Sequence, residues 1–278
     1  MKVYKKKSEL TAYLDAFREI KSIGFVPTMG ALHSGHLRLI EESKKDCEIT
    51  ICSIFVNPKQ FNNSDDYANY PNNLNNDLEK LKKLNCDIVY TPKINDLYAN
   101  EEKVKEFDFG PLANIMEGKF RPGHFNGMAT VIEKFFNIIN PTKAFFGQKD
   151  LQQLQIVKAL VHQMNIPIEI KGIPTVREEN GLAKSSRNEL LSANAKDEAT
   201  LIYKCLNYCL NNKEKGVSAL KLYIQNQFKK QDHLELEYAE ITSLKNLLPI
   251  SKWEAENENA ICIAAYIDSV RLIDNIIL

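Results

Sequence analysis

Alternation is what most constrains this chain. From about residue 22 to 176, short apolar runs rich in β-branched and aromatic residues are separated by stretches with helical spacing. "SIGFVPT" reads as a strand and "SGHLRLIEESKKD" as the helix after it; "CEITICSIFV" is a second strand, apolar enough to be buried on both faces. The pattern continues as "NNDLEKLKKLN" into "CDIVYTP", "GMATVIEKFFNIIN" into "KAFFG", and "LQQLQIVKALVHQMN" into "IEIKGIPTV". Strands separated by helices of this length imply a parallel sheet with right-handed crossovers. The order then changes. "RNELLSANAKDEATLIYKCLNYCLNN" and "VSALKLYIQNQFKK" read as two helices, followed by strand-like "LELEYAEI", "NAICIAAYI" and "VRLIDNIIL". The expected fold is α/β, with a Rossmann-like parallel sheet domain at residues 1–175 and a smaller C-terminal α+β domain at 176–278. Pro174, Asn180 and Gly181 mark the turns at the boundary.

Charge excludes two partner classes. Lys plus Arg equals Asp plus Glu at 36 each, so no global field draws in nucleic acid or an anionic membrane surface. The six cysteines lie in or beside apolar runs with no CxxC pair and no metal-ligand spacing, as small buried hydrophobes of a reducing compartment do. The first segment, "MKVYKKKSELTAYLDAF", has helical periodicity and acidic residues instead of a signal peptide's apolar core. No stretch approaches the roughly 20 apolar residues of a membrane span. A cytoplasmic enzyme of small molecules is the expectation.

The chemistry concentrates in three segments. In a parallel α/β sheet, ligands bind beyond the carboxyl ends of the strands, and "PTMGALHSGH" (residues 27–36) occupies that place. Gly30 and Gly35 allow close backbone approach, and the helix opening near Ser34 offers free N–H groups to an anion. The Gly30-to-Gly35 spacing imitates a phosphate loop, but His36 and Leu37 stand where Lys and Ser or Thr are required. His33 and His36 can instead donate hydrogen bonds to a phosphate chain as charge builds there, which is adenylyl-transfer chemistry; the plainer reading is that they cap the helix. In the second segment, residues 117–153, Arg121, His124, Lys149 and Asp150 stand at expected strand-end loops. Lys149 is equally compatible with a cation fixed in the cleft and with a loop charge paired to Asp150. The third is "GLAKSSRNELL", where Ser185, Ser186 and Arg187 suit a polyphosphate, although Ser186 also suits a helix cap.

Taken together, "PTMGALHSGH", "SIFVNPKQF", "YPNNLNNDL", "EGKFRPGHF", "FFGQKDLQQL" and "GLAKSSRN", in order from about residue 24 to 188, resemble the pantothenate synthetases, the pantoate-β-alanine ligases of the HxGH nucleotidylyltransferase superfamily. The resemblance implies ATP-dependent condensation of pantoate with β-alanine through a pantoyl adenylate, with Mg2+ accompanying ATP and a homodimer as the assembly. It implies that Met29, His33, His36, Gly147, Lys149, Asp150 and Val176 line the ATP site, with Lys149 on the phosphates, Asp150 on the ribose and Val176 on adenine. Ser185, Ser186 and Arg187 would close over the phosphates as the second domain covers the site. Gln60 and Gln153 would hold pantoate; Asn57 would lie beside the phosphates and the second substrate. Arg121, His124 and Tyr70 would stand on the cavity wall and mouth, and Asp77 would be a magnesium contact. The chain departs from the family pattern at Gln148, usually Glu, at Asn76, where a second carboxylate is common, and at Lys184. An HxGH adenylyltransferase acting on a phosphorylated cofactor precursor, and a catalytically dead nucleotide-binding scaffold, are the competing readings.

Overall fold

The computed structural model describes residues 1–255 and 258–278. β1 (Lys2–Tyr4) and α1 (Lys7–Leu14) precede β2 (Ile23–Thr28), α2 (Ser34–Asp46) and β3 (Ile49–Ile54). Then α3 (Ser64–Ala68) and α4 (Leu74–Lys83) lead to β4 (Ile88–Tyr90), and α5 (Ile94–Leu97), α6 (Met116–Phe120) and α7 (His124–Ile139) lead to β5 (Lys143–Gly147). Next, α8 (Leu151–Met164) leads to β6 (Glu169–Ile173). The rest comprises α9 (Ala193–Leu210), α10 (Val217–Phe228), β7 (Leu234–Ser243), β8 (Asn259–Ile267) and β9 (Val270–Ile277).

The first six strands form a parallel sheet in the order β1-β4-β3-β2-β5-β6, and the last three an antiparallel meander, β7-β8-β9. The expected α/β architecture is therefore present. Two local expectations are corrected. The opening segment, expected to be helical, begins instead with β1, which extends the sheet by pairing with β4. The stretch from Arg187 to Asn212 is not one helix. A 3-10 turn ends at Leu190, and the Ser192 side chain accepts the Ala195 N–H at 3.1 Å, so α9 starts afresh at its own cap.

Both faces of the parallel sheet are buried. Phe25, Ile51, Ile88, Ala144 and Phe146 point into one apolar cluster; Val26, Cys52, Val89 and Phe145 point into another. This is why these strands read as continuous apolar runs. Phe25, Phe55 and Tyr90 meet the Phe135 ring edge-on, which locks α7 to the sheet. β8 is treated the same way: Ala260 and Cys262 join the first cluster, while Ile261, Ile263 and Ala265 face the cluster under α9 and α10. All six cysteines are free, and five are buried. No helix among the described residues is long and apolar enough to cross a membrane.

Charged groups also join the two sheets. Arg271 on β9 donates twice to Glu117 on α6, at 2.6 Å each, and to Glu237 on β7, while Tyr238 donates to Glu117 at 2.8 Å. Burial alone would raise the Glu117 carboxyl, but the Arg271 guanidinium outweighs it and holds the group ionised, below its usual range. Arg271→Met would strand that carboxylate and is expected to lower the free energy of unfolding by about 3 kcal/mol or more. Denaturant titration checks it; a loss under about 1 kcal/mol would mean that Arg121, 3.8 Å from Glu117, takes over the pairing.

Candidate active site

The parallel sheet changes direction between β2 and β5. From β2 the chain moves outward through β3, and from β5 it moves the other way through β6. β2 pairs with β5 only at Gly24 and Phe25, although each strand runs on beside its outer neighbour. The strands part just before Pro27, which has no N–H to offer a ladder. A cleft of about 1190 Å³ opens there, lined by the ends of β2, β5 and β6 and by the loops that follow them. This is the topological switch point at which α/β sheets bind ligands.

Out of β2, Gly30 and Ala31 both take left-handed backbone, at φ 85° and 50°. For Ala31 that conformation is strained. It is held by Asp77 on α4, whose carboxylate accepts the Ala31 N–H at 2.9 Å and the Leu32 N–H at 2.7 Å, while Lys80 donates to Leu32 O at 2.5 Å. Asp77 is completely buried and does not line the cleft. Both oxygens of Asp77, expected as a magnesium contact, are engaged here by backbone donors of the histidine loop.

His33 is the N-cap of α2, as the plainer reading has it, and it also lines the cleft. His33 Nδ1 accepts the Gly35 N–H at 3.1 Å, and His36 Nδ1 accepts the His33 N–H at 3.3 Å. A Cβ on residue 35 would lie within 2.9 Å of the His33 ring, so this fold needs glycine there. With Nδ1 accepting, each neutral imidazole carries its proton on Nε2, which makes Nε2 the donor for a ligand. The rings lie 4.0 Å apart and both line the cleft. Burial, and then the neighbouring His36 and Lys149 charges, pull His33 down to about 2; burial and Lys149 pull His36 down to about 4.

Lys149 follows β5, lines the cleft, and also lies 3.5 Å from Asp150, so the two alternatives for it coexist. Met29, Gly147, Asp150, Gln153 and Val176 line the same space. Gln60 does too, its Nε2 3.0 Å from Met29 Sδ. Asn57 does not: it is 1% exposed, accepts from Tyr98 Oη at 2.9 Å, and donates to Gly127 O and to Gln60 Oε1. Asn57, expected beside the phosphates, thus lies behind Gln60 in this structure.

A second chamber of about 680 Å³ adjoins the cleft through Met29, Gln60, Lys149, Asp150, Gln153 and Arg187. Arg121 and His124 line this chamber. His124 Nδ1 donates to Gln60 O at 2.8 Å, leaving Nε2 to accept from Arg121 at 3.2 Å; burial and the Arg121 charge lower His124 to about 4.

Across the mouth, the Ser185–Arg187 loop meets the segment before α4. Ser185 accepts the Arg187 N–H, Tyr70 Oη and Ser186 Oγ are 3.3 Å apart, and Arg187 forks onto Asp66 at 3.0 and 3.1 Å. Lys184 is paired with Glu178, and the Gln148 carbonyl is bonded from β9. Sequence reasoning missed Asp66, on the short α3 within an Asn-rich stretch that carries no motif, and Glu117, whose partner lies 154 residues away.

Against known proteins, a family model described as pantoate-beta-alanine ligase matches residues 2–277. The pantothenate synthetase of Christiangramia forsetii is 46% identical over 283 aligned positions, covering 100% of this chain and 99% of the relative. That of Caldicellulosiruptor saccharolyticus is 44% identical, covering 94% and 92%. The crystal structure of the Thermus thermophilus pantothenate synthetase superposes with a TM-score of 0.94 at 36% identity, covering 99% of each chain. The Francisella tularensis pantoate-beta-alanine ligase, solved with beta-gamma ATP and beta-alanine, gives 0.83 at 35%, covering 100% of this chain and 97% of that one. A full-length family match, and relatives that agree with it end to end in sequence and in fold, make this chain a member of the pantoate-beta-alanine ligase family.

Proposed function

We propose that the cleft carries out its family's ATP-dependent condensation of pantoate with β-alanine in two steps, with the residues described above in the following roles. In the first step a pantoate carboxylate oxygen bonds to the α-phosphorus of Mg-ATP as the bond to the β-phosphate oxygen breaks, releasing pyrophosphate. In the second, the β-alanine amine bonds to the acyl carbon, the acyl–phosphate bond breaks, and AMP leaves as the amine sheds its proton. Charge builds on phosphate oxygens in the first step, so the protein's task is positioning and electrostatic stabilisation.

The carrying observation is the histidine pair at the switch point, with both Nε2 donors set by capping and Lys149 across from them. His33, His36 and Lys149 contact the phosphates in this reading. Met29, Gly147 and Val176 border the nucleotide and Asp150 meets its ribose. Gln60 and Gln153, where the two chambers join, hold pantoate; Arg121, His124 and Tyr70 border the second substrate. Arg187 exchanges Asp66 for phosphate as Ser185 and Ser186 close in. Magnesium enters with the nucleotide. Among the described residues no three His, Cys, Asp or Glu side chains cluster to hold a metal, and Asp150 is the carboxylate on the cleft wall, which suits an ion carried mainly by phosphates and water. Residues 1–175 form the catalytic unit and 176–278 the unit covering it, in a cytoplasmic homodimer; sedimentation giving twice the 31.8 kDa chain mass would support the dimer.

Purified protein given Mg-ATP and pantoate should release a single equivalent of pyrophosphate, and turn over AMP only when β-alanine is added. Absence of both products would overturn the ligase reading, and pyrophosphate formed only with a phosphorylated acceptor would assign a different transferase. His36→Ala is expected to slow adenylation by about two to three powers of ten, the scale for losing one preorganised donor; under threefold, the role given to His36 is wrong. Acid has a defined effect. Because His33, His36 and His124 titrate far below the ordinary 6.5, the unfolded chain binds more protons beneath that value, so stability falls as pH drops from about 6.5 toward 4. Thermal unfolding followed across that range checks it: a midpoint flat from 7 to 5 would contradict neutral, buried imidazoles.

A further inference from the structure

Lys149 stands in a turn with few supports of its own. Gln148–Asp150 is a single 3-10 turn, and Asp150 caps α8 without a side-chain hydrogen bond. Support comes from the other sheet. Asn275 on β9, 4% exposed, donates from Nδ2 to Gln148 O at 2.9 Å and to Lys149 O at 2.7 Å. The reversed amide would aim Oδ1 at two carbonyl oxygens, so this network sets which end faces the turn. Asn275 Oδ1 is left buried without a protein partner, an arrangement that costs stability and is retained here together with the double clamp.

The amide is itself held from behind. The Asn275 N–H donates to Asp274 Oδ1 at 2.8 Å, and Arg177 binds Asp274 through two nitrogens, at 2.5 and 3.0 Å, while reaching Asn275 O at 3.3 Å. Arg177 directly follows Val176, which also lines the cleft. One buried cluster on β9 thereby holds both the Lys149 turn and the hairpin leading to Ser185.

We propose that Asn275 is a positioning residue for Lys149: by gripping two successive carbonyls it sets where the ammonium meets the transferring phosphates, so the C-terminal sheet takes part in adenylation without touching the nucleotide. The proposal rests on the phosphate role given to Lys149 above. Its test is a double-variant cycle on the full chain, reading the single-turnover rate of pyrophosphate release with Mg-ATP and pantoate. Asn275→Ala is expected to lower that rate about 10- to 100-fold, the scale of a small misplacement at the reacting centre, with pantoate affinity changed less than twofold. Lys149→Ala and the double variant should then be equally slow, because without the ammonium nothing is left to position. Losses that multiply, or an Asn275→Ala rate above one third of wild type, overturn the proposal while leaving Lys149 its role. A wild-type rate in Lys149→Ala removes that role and the proposal with it. If Asn275→Ala does not fold, Asn275→Ser, which keeps one donor, goes through the same cycle.

Discussion

The parting of β2 from β5 is the constraint on which the rest depends. Two parallel strands that share only Gly24 and Phe25 leave their last residues unpaired toward each other, and those residues lead into the histidine loop on one side and the Lys149 turn on the other. Exposed strand ends would normally need partners. Here the gap is kept open by anchoring each strand to its outer neighbour and by burying both faces of the sheet under helices, with the ring of Phe25 fully buried against Phe135 and Phe136.

The site built on this gap is a set of donors and cations whose counter-charges are already in place. Asp66 occupies Arg187, Asp150 accompanies Lys149, and Asp274 binds Arg177. The histidines are different. Their backbone contacts use up Nδ1, and burial keeps them neutral, so they present polar hydrogens without adding positive charge. In the function proposed above, a polyanion entering such a site trades carboxylate partners for phosphate oxygens and meets donors that need no reorganisation.

Much of this was legible in the chain. The helix and strand periods of residues 22–176 translate directly into the parallel sheet, because β2 to β5 are buried on both faces and each crossover helix carries one apolar stripe. The histidines, Lys149 and the Ser185–Arg187 loop were visible because a βα junction is a fixed place in such a fold, and short motifs mark it. β1 was not visible: three residues, two of them Lys2 and Tyr4, carry no period, and only the edge of β4 makes them a strand. The break before α9 was equally silent, since Ser192 is a helix cap only where its side chain can reach the Ala195 N–H.

What the sequence by itself determined is the class of fold and the chemistry at the strand ends, since both follow from local patterns: spacing, glycine positions and residue type at a junction. Only the tertiary structure decided what each polar group does there. Asp77 and Asn57 look like ligand contacts as letters in a motif; the structure buries them against Ala31 and Leu32, and against Gln60. Glu117 with Arg271, and Asn275 with the Lys149 turn, are joined across 154 and 126 residues. No local pattern encodes such pairs, because hydrogen bonding depends on distance in space and the chain brings those groups together only after both sheets have formed.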